Sequence, residues 1–186
     1  KTASAFNQDI SAWNISAVTS MGSMFDDATS LSDANKGRIQ ESFATNSYWE
    51  HDWAEFIPPS NLNSTTTLTI AENQPVGAIV GEFNATDAND GTITYHFVNG
   101  ENNNSLFTLD TNGTLKTATT FDYESNASSY TITIQAKDEL NATTEGNFTV
   151  TLLDDDTEDR DGDGFTDSLE ASTGSNLNDP TSTPLQ

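Results

Sequence analysis

Along the chain the spacing of apolar residues changes twice. In residues 1–57 the apolar positions include Phe6, Ile10, Trp13, Ile15, Val18, Met21, Met24, Phe25, Ala28 and Leu31. They keep neither the 3.6-residue period of a helix nor the two-residue period of a strand. Such spacing predicts short strand-like pieces alternating with turns, as in one coil of a solenoid. Trp13, Met21 and Met24 are assigned to core packing. The run DANKGRIQESF, Asp33 to Phe43, predicts a helix with Asp33 as its cap. The aromatic stretch YWEHDWAEFIPP that follows reads as an end cap over an open apolar core. A sugar-stacking face on Trp49, His51 and Trp53 is the alternative.

Pro58-Pro59-Ser60 breaks this texture, and residues 58–67 read as a linker. From 68 to 156 the period becomes two. TITYHF, YTITIQAKD and GNFTVTLLD each place apolar residues on one face. Turn signals fall at Asn89-Asp90-Gly91, Asn99-Gly100, Asn112-Gly113 and Glu145-Gly146. Seven or so short strands in this length predict an antiparallel β-sandwich with one wet face on each sheet. Residues 157–186 are acidic at first, then polar with prolines. The expected fold class is therefore mainly β: a solenoid end cap, a sandwich and a short terminal segment.

Composition narrows what such a chain does. Apolar residues make up 33%, and 29 acidic against 6 basic residues give a net charge of −23. This rules against nucleic acid or anionic membrane as a natural partner and permits divalent cations. Cysteine is absent, so a metal is the obvious staple for a small module. No apolar run is long enough to cross a bilayer. A start at Lys1 without Met points to a piece of a larger, secreted protein. Eight Asn-x-Ser/Thr triplets, beginning at Asn14, add weak support for glycosylation. His51 and His96 are far apart, and neither a Gly-rich phosphate loop nor a nucleophile–base pair stands out. An enzyme is not expected.

The strongest local signal is DRDGDGFTDSLE. Nine carboxylates crowd between Asp154 and Glu170, with Arg160 among them. Counted from Asp159, acids fall at positions 1, 3, 5, 9 and 12: Asp159, Asp161, Asp163, Asp167 and Glu170. This is the spacing of a calcium loop. Alternate residues of a tight loop point inward, so the first three supply oxygens. Gly164 permits the reversal at position 6. Phe165 would offer its carbonyl, Asp167 a direct or water-borne ligand together with a helix cap, and Glu170 both of its oxygens. Asn176, Asn178 and Asp179 either add a ligand or form turns.

Three resemblances carry these readings further. Phe6 to Ile10, Ser11, Trp13, Ser16, Val18, Thr19, Met21, Met24 and Phe25 resemble the final repeat of BspA-like bacterial surface proteins. That likeness implies further coils before Lys1. Ala71-Glu72-Asn73, Ala85 to Asp90, Phe107 to Asp110, Phe121-Asp122-Tyr123-Glu124, Ala136-Lys137-Asp138 and Leu153 to Asp156 resemble the successive phrases of a cadherin repeat. It implies a Greek-key sandwich with calcium at both ends. Glu72, Asp122 and Glu124 would gather beside Asp154, Asp155 and Asp156. Asp87 and Asp138, with Asn89 or Asp90, would gather at the opposite end. Asp154 to Thr157 departs from the family's Asn-Asp-Asn and Pro, which puts a full set of ions in doubt. DRDGDGFTDSLEASTGSNLNDP resembles one thrombospondin type 3-like calcium repeat of bacterial surface proteins, from residue 157 onward.

Together these imply a calcium-binding structural module of a larger extracellular or cell-surface protein, its ions stiffening the joints. Its expected partners are neighbouring domains of the same chain, other copies or a surface ligand. The competing expectations are an adhesion or recognition module for a glycan or protein, and the accessory stalk of a secreted enzyme.

Overall fold

The computed structural model describes residues 3–155 and 157–184. The chain packs as two compact units. One is made of residues 1–63, 84–96 and 135–145, the other of 64–83, 97–134 and 146–186.

In the first unit, the described residues before the helix form turns and no strand. The expected strand-like pieces are thus replaced by consecutive tight turns. Trp13, Val18, Met24, Ala28 and Leu31 donate their amides to the carbonyls of Ile10, Ile15, Met21, Phe25 and Ala28. A turn every few residues satisfies the backbone without a ladder and sends Ile10, Ile15, Met21, Phe25 and Leu31 to one side. There they meet Ile39 and Phe43 in a buried cluster, with Trp49 and Trp53 packed against it. Met21 is buried, but Trp13 is 57% and Met24 38% exposed, so core packing holds for only one of the three. Trp13 and Met24 donate the amides that close turns, and each side chain faces away from the cluster.

Helix α1 runs Asp33–Phe43 and buries Gly37, Ile39, Gln40 and Phe43. Its cap is Ser32, which accepts from the Asn35 amide, and Asp33 is the first helical residue. The hydroxyl one position earlier displaces the expected acid, and Asp33 then favours the positive end of the helix. Gly37 lies against the turn Ala54–Phe56: a Cβ there would sit 2.1 Å from the Phe56 carbonyl oxygen. Buried Gln40 accepts from Trp49 Nε1 at 2.7 Å and from the Trp53 amide at 3.2 Å. His51 stacks on Trp53 at 4.8 Å between centroids. The half-buried rings are held by the core beneath them.

Among the described residues, eight strands make two four-stranded sheets. They are β1 Ser60–Ser64, β2 Thr69–Ala71, β3 Ile79–Thr86, β4 Thr94–Phe97, β5 Phe107–Leu109, β6 Thr114–Thr117, β7 Ser129–Lys137 and β8 Thr143–Leu153. The orders are β1-β3-β6-β5 and β2-β8-β7-β4. The fold is mainly β with two sheets, as expected, and β1 begins inside the stretch read as a linker. Two details differ. β2 pairs parallel with β8, Ile70 opposite Leu152, so the sheets are not purely antiparallel. Glu145-Gly146 lies within β8 rather than at a turn. The reversal before β8 falls at Asn141, φ 70°, where Asp138 donates its amide to the Ala142 carbonyl. The Asp138 side chain accepts from the same turn, and this fixes the reversal earlier in the chain than a glycine signal suggests. Leu115, Ile132, Ile134, Ala136 and Val150 are fully buried.

A short helix α2, Asp167–Thr173, follows the acidic loop. Thr166 caps it by accepting from the Leu169 amide, in place of the expected Asp167. Gly174, φ 81°, ends it.

Candidate metal centres

Among the described residues, three groups of the expected carboxylates come together, each through the local fold that carries it. At the end of the sandwich in the second unit, Glu72 follows β2 and is 2% exposed. It accepts from the Tyr123 amide with Oε2 and from the Asp155 amide with Oε1, both at 2.7 Å. These bonds hold the chain around Asp122 and Glu124 against the strand ends. Glu72, Asp122 and Glu124 each offer an oxygen within 4.8 Å of the others. Two oxygens on one calcium, each ~2.4 Å from the ion, are separated by at most about 4.8 Å, so the spacing suits a shared ion. Glu124 Oε2 is buried with no hydrogen bond. Burial pushes the Glu124 carboxyl up, and the charges of Glu72, Asp154 and Asp122 push it the same way. Asp155 lies beside Glu72, and Asp156 lies outside the described residues.

The acidic loop is a second group. Asp159 accepts from the Gly162 amide at 2.8 Å and the Gly164 amide at 2.9 Å, one on each oxygen. Gly164 has φ 97°, a conformation that resists any side chain. Asp161 Oδ1 accepts from the Asp163 amide and Asp163 Oδ1 from the Phe165 amide. Each thus uses one oxygen on the backbone and leaves Oδ2 buried with no hydrogen bond. Oxygens of Asp159, Asp161 and Asp163 lie within 4.8 Å of one another. Glu170 is fully buried, and neither of its carboxyl oxygens has a hydrogen-bond partner. Burial pushes its pKa up, reinforced by the charges of Asp161, Asp163, Asp167 and Asp159. Two unit charges ~5 Å apart at an effective dielectric of ~20 repel by ~3 kcal/mol. A cation or a bound proton at that point relieves such repulsion. Fully buried Asp167 accepts from the Arg160 amide at 2.8 Å, closing the loop from the helix side. Asn178 donates its amide to Asn176 Oδ1, and Asp179 Oδ1 accepts from Thr181, so these residues make turns.

The third group lies in the first unit. Asp87 Oδ1 accepts from the Asn89 and Gly91 amides, and Asp138 Oδ1 from the Leu140 and Ala142 amides. Both Oδ2 atoms are buried with no hydrogen bond, and Asp138 is 4% exposed. Burial raises the Asp138 pKa, with the charges of Asp87 and Glu139 adding to it. The Asn89 amide group turns to Glu139 Oε1 at 3.2 Å, and Asp90 is exposed with φ 58°.

Two residues near these groups carry no signal in the sequence. Glu158 shares a cluster with Glu124 and the expected Asp167, their oxygens within 4.8 Å, and Glu139 stands beside Asp138. Glu158 falls one residue before the loop's first position, so spacing gives it no mark.

Residues 66–153 match the family described as "Cadherin domain", and residues 1–52 the family described as "Mycoplasma protein of unknown function, DUF285". Human "Protocadherin Fat 4" is 42% identical over 84 residues, 44% of this chain and 2% of that protein. The Drosophila melanogaster "Protocadherin-like wing polarity protein stan" is 31% identical over 86 residues, 42% of this chain and 2% of that protein. The chain therefore spans about 2% of the length of these curated relatives. Among solved structures, "Protocadherin Gamma B2 extracellular cadherin domains 3-6" is 31% identical with a TM-score of 0.43, covering 53% of this chain and 23% of that one. Drosophila N-cadherin EC1-4 is 20% identical with a TM-score of 0.45, covering 52% and 24%. Residues 66–153 are thus similar to cadherin domains by the family match and by the curated relatives. No helix among the described residues is long and apolar enough to cross a membrane.

Proposed function

We propose that this chain is a calcium-stiffened structural segment of a larger extracellular or cell-surface protein. The observation that carries it is Glu170: a glutamate wholly buried, with neither oxygen hydrogen-bonded, facing Asp159, Asp161 and Asp163. Calcium, which takes six to eight oxygens, suits this hard, all-oxygen set. In this reading Asp159, Asp161, Asp163, Asp167, Glu170 and the Phe165 carbonyl hold one ion. Glu72, Asp122, Glu124, Asp154, Asp155 and Asp156 serve the sandwich end, and Asp87, Asn89 and Asp138 the opposite end. Cadherin domains bind calcium in general, which supports the last two sets. The domain reading is a BspA-like solenoid end over 1–57, a linker over 58–67, a cadherin-like sandwich over 68–156 and a thrombospondin type 3-like segment over 157–186. The partial match of residues 1–52 to DUF285 supports a separate first module. Neighbouring domains of the same chain are the partners.

Thermal unfolding in calcium and in excess chelator tests this. Ions that bind only the folded state raise the melting temperature with concentration. An unchanged melting temperature sinks the reading.

One observation favours a second reading, recognition of a glycan or protein. Trp13 and Tyr48, 57% and 47% exposed, line one cleft with Val18 and Asn46. Binding that survives Trp13→Ala and Tyr48→Ala together would remove it.

A further inference from the structure

Arg160 is the sole basic residue after Lys137. It stands at the second position of the loop, between two calcium-ligand candidates. Its Nη2 lies 3.0 Å from Asp122 Oδ2 and 3.5 Å from Glu158 Oε1, and its Nε lies 3.4 Å from Asp167 Oδ2. These acids come from three places: Asp122 from the sandwich end, Glu158 from the connection, and Asp167 from the start of α2. The backbone closes the same assembly. Arg160 donates its amide to Asp167 Oδ1, Asp167 donates its amide to the Glu158 carbonyl at 2.7 Å, and Asn73 Nδ2 donates to Glu158 Oε2 at 2.7 Å. Asp167 is fully buried, and the Arg160 side chain is 28% exposed. The network is therefore better shielded than a surface ion pair.

We infer that Arg160 is a resident cation that docks the loop onto the end of the sandwich without metal. The planar guanidinium lies within ion-pair distance of three acids at once, through Nη2 and Nε, a reach that a point-charge ammonium lacks. A guanidinium keeps its charge throughout the accessible pH range. The division of labour follows. Ions order the interior of the loop and the sandwich-end site, while Arg160 keeps the loop attached when they leave. The inference rests on the proposed function only in naming calcium as the ion that comes and goes.

The test uses the full chain, which has no native cysteine, spin-labelled at Ala127→Cys and Ala171→Cys, both exposed positions. Pulsed-resonance distances are measured in excess chelator. The wild-type background should give one narrow distribution. Arg160→Gln should raise the broad, undocked fraction about tenfold, the scale set by losing hydrogen bonds to charged groups. Arg160→Lys, keeping the charge without the fork, should fall between. A wild-type distribution already broad in chelator, or an Arg160→Gln distribution as narrow as wild type, overturns the inference. If calcium shifts neither melting nor distances yet Arg160→Gln still broadens the distribution, the calcium reading fails and the clamp stands.

Discussion

Two short helices of this chain bury opposite things. α1 turns Ile39 and Phe43 inward, onto Ile10, Ile15, Met21, Phe25 and Leu31. α2 turns Asp167 and Glu170 inward. Both have a hydroxyl cap, Ser32 and Thr166, and both follow a stretch of irregular chain. The first is held by hydrocarbon removed from water, which needs no other component. The second buries carboxylates whose mutual repulsion opposes close approach, so the loop interior they face calls for a counter-charge. One helix thus rests on an apolar core and the other on balanced charge.

The largest test of this contrast is Phe43→Ala. It should cost about 3–5 kcal/mol in the stability of the first module. Calcium should not restore it, and the emission of Trp49, edge-on to Phe43 at 5.4 Å between centroids, should shift. Restoration by calcium would break the comparison. Next in size is Glu170→Gln, which should weaken calcium binding at the loop by on the order of 100-fold in a calcium titration. Unfolding of the first module, followed by tryptophan emission, should be unchanged, because all three Trp lie at 13, 49 and 53.

A smaller effect follows from titration. The Glu170 pKa is raised in the folded chain, first by burial and then by its acidic neighbours. The folded state then holds its proton where the unfolded state has released it, so stability falls as pH rises through that window. Without calcium, amide protection in 159–170 should be greater near the unfolded carboxylate value of about 4.5 than at neutral pH. With calcium the order should reverse, because the ion displaces the proton. Protection independent of pH in chelator would contradict the assignment. The smallest effect is Ser32→Ala, with an expected cost of ~1 kcal/mol from loss of the cap. It should be equal in calcium and chelator by chemical denaturation.

What the sequence reveals depends on distance along the chain. The spacing from Asp159 to Glu170 is local, so the loop is legible from residue types alone. Glu72 and Asp122 are fifty residues apart, and only the resemblance to a cadherin repeat puts them together. Arg160 and Glu158 had no mark, since their role depends on how the loop packs against Asn73 and Asp122. The turns of the first module were legible as turns, but which side chains they point outward was not. Trp13 and Met24 look like core by type and are exposed. Both helices are capped by the hydroxyl one residue before the acid that the sequence suggests, for an acid beside a hydroxyl is itself a good cap. At Glu145-Gly146 a turn signal was overridden by pairing within β8. The parallel pairing of β2 with β8 likewise belongs to the tertiary fold and leaves no local trace.

The most direct measurement of the central claim is residue-resolved amide exchange during a calcium titration of the whole chain. The amides of Gly162, Gly164 and Phe165, which donate to Asp159 and Asp163, should gain protection as calcium is added. Those of Ile39 to Phe43 in α1 should not change. Equal protection of the loop amides with and without calcium, or a common shift across both helices, would contradict the claim that buried carboxylates make the loop a metal-ordered element.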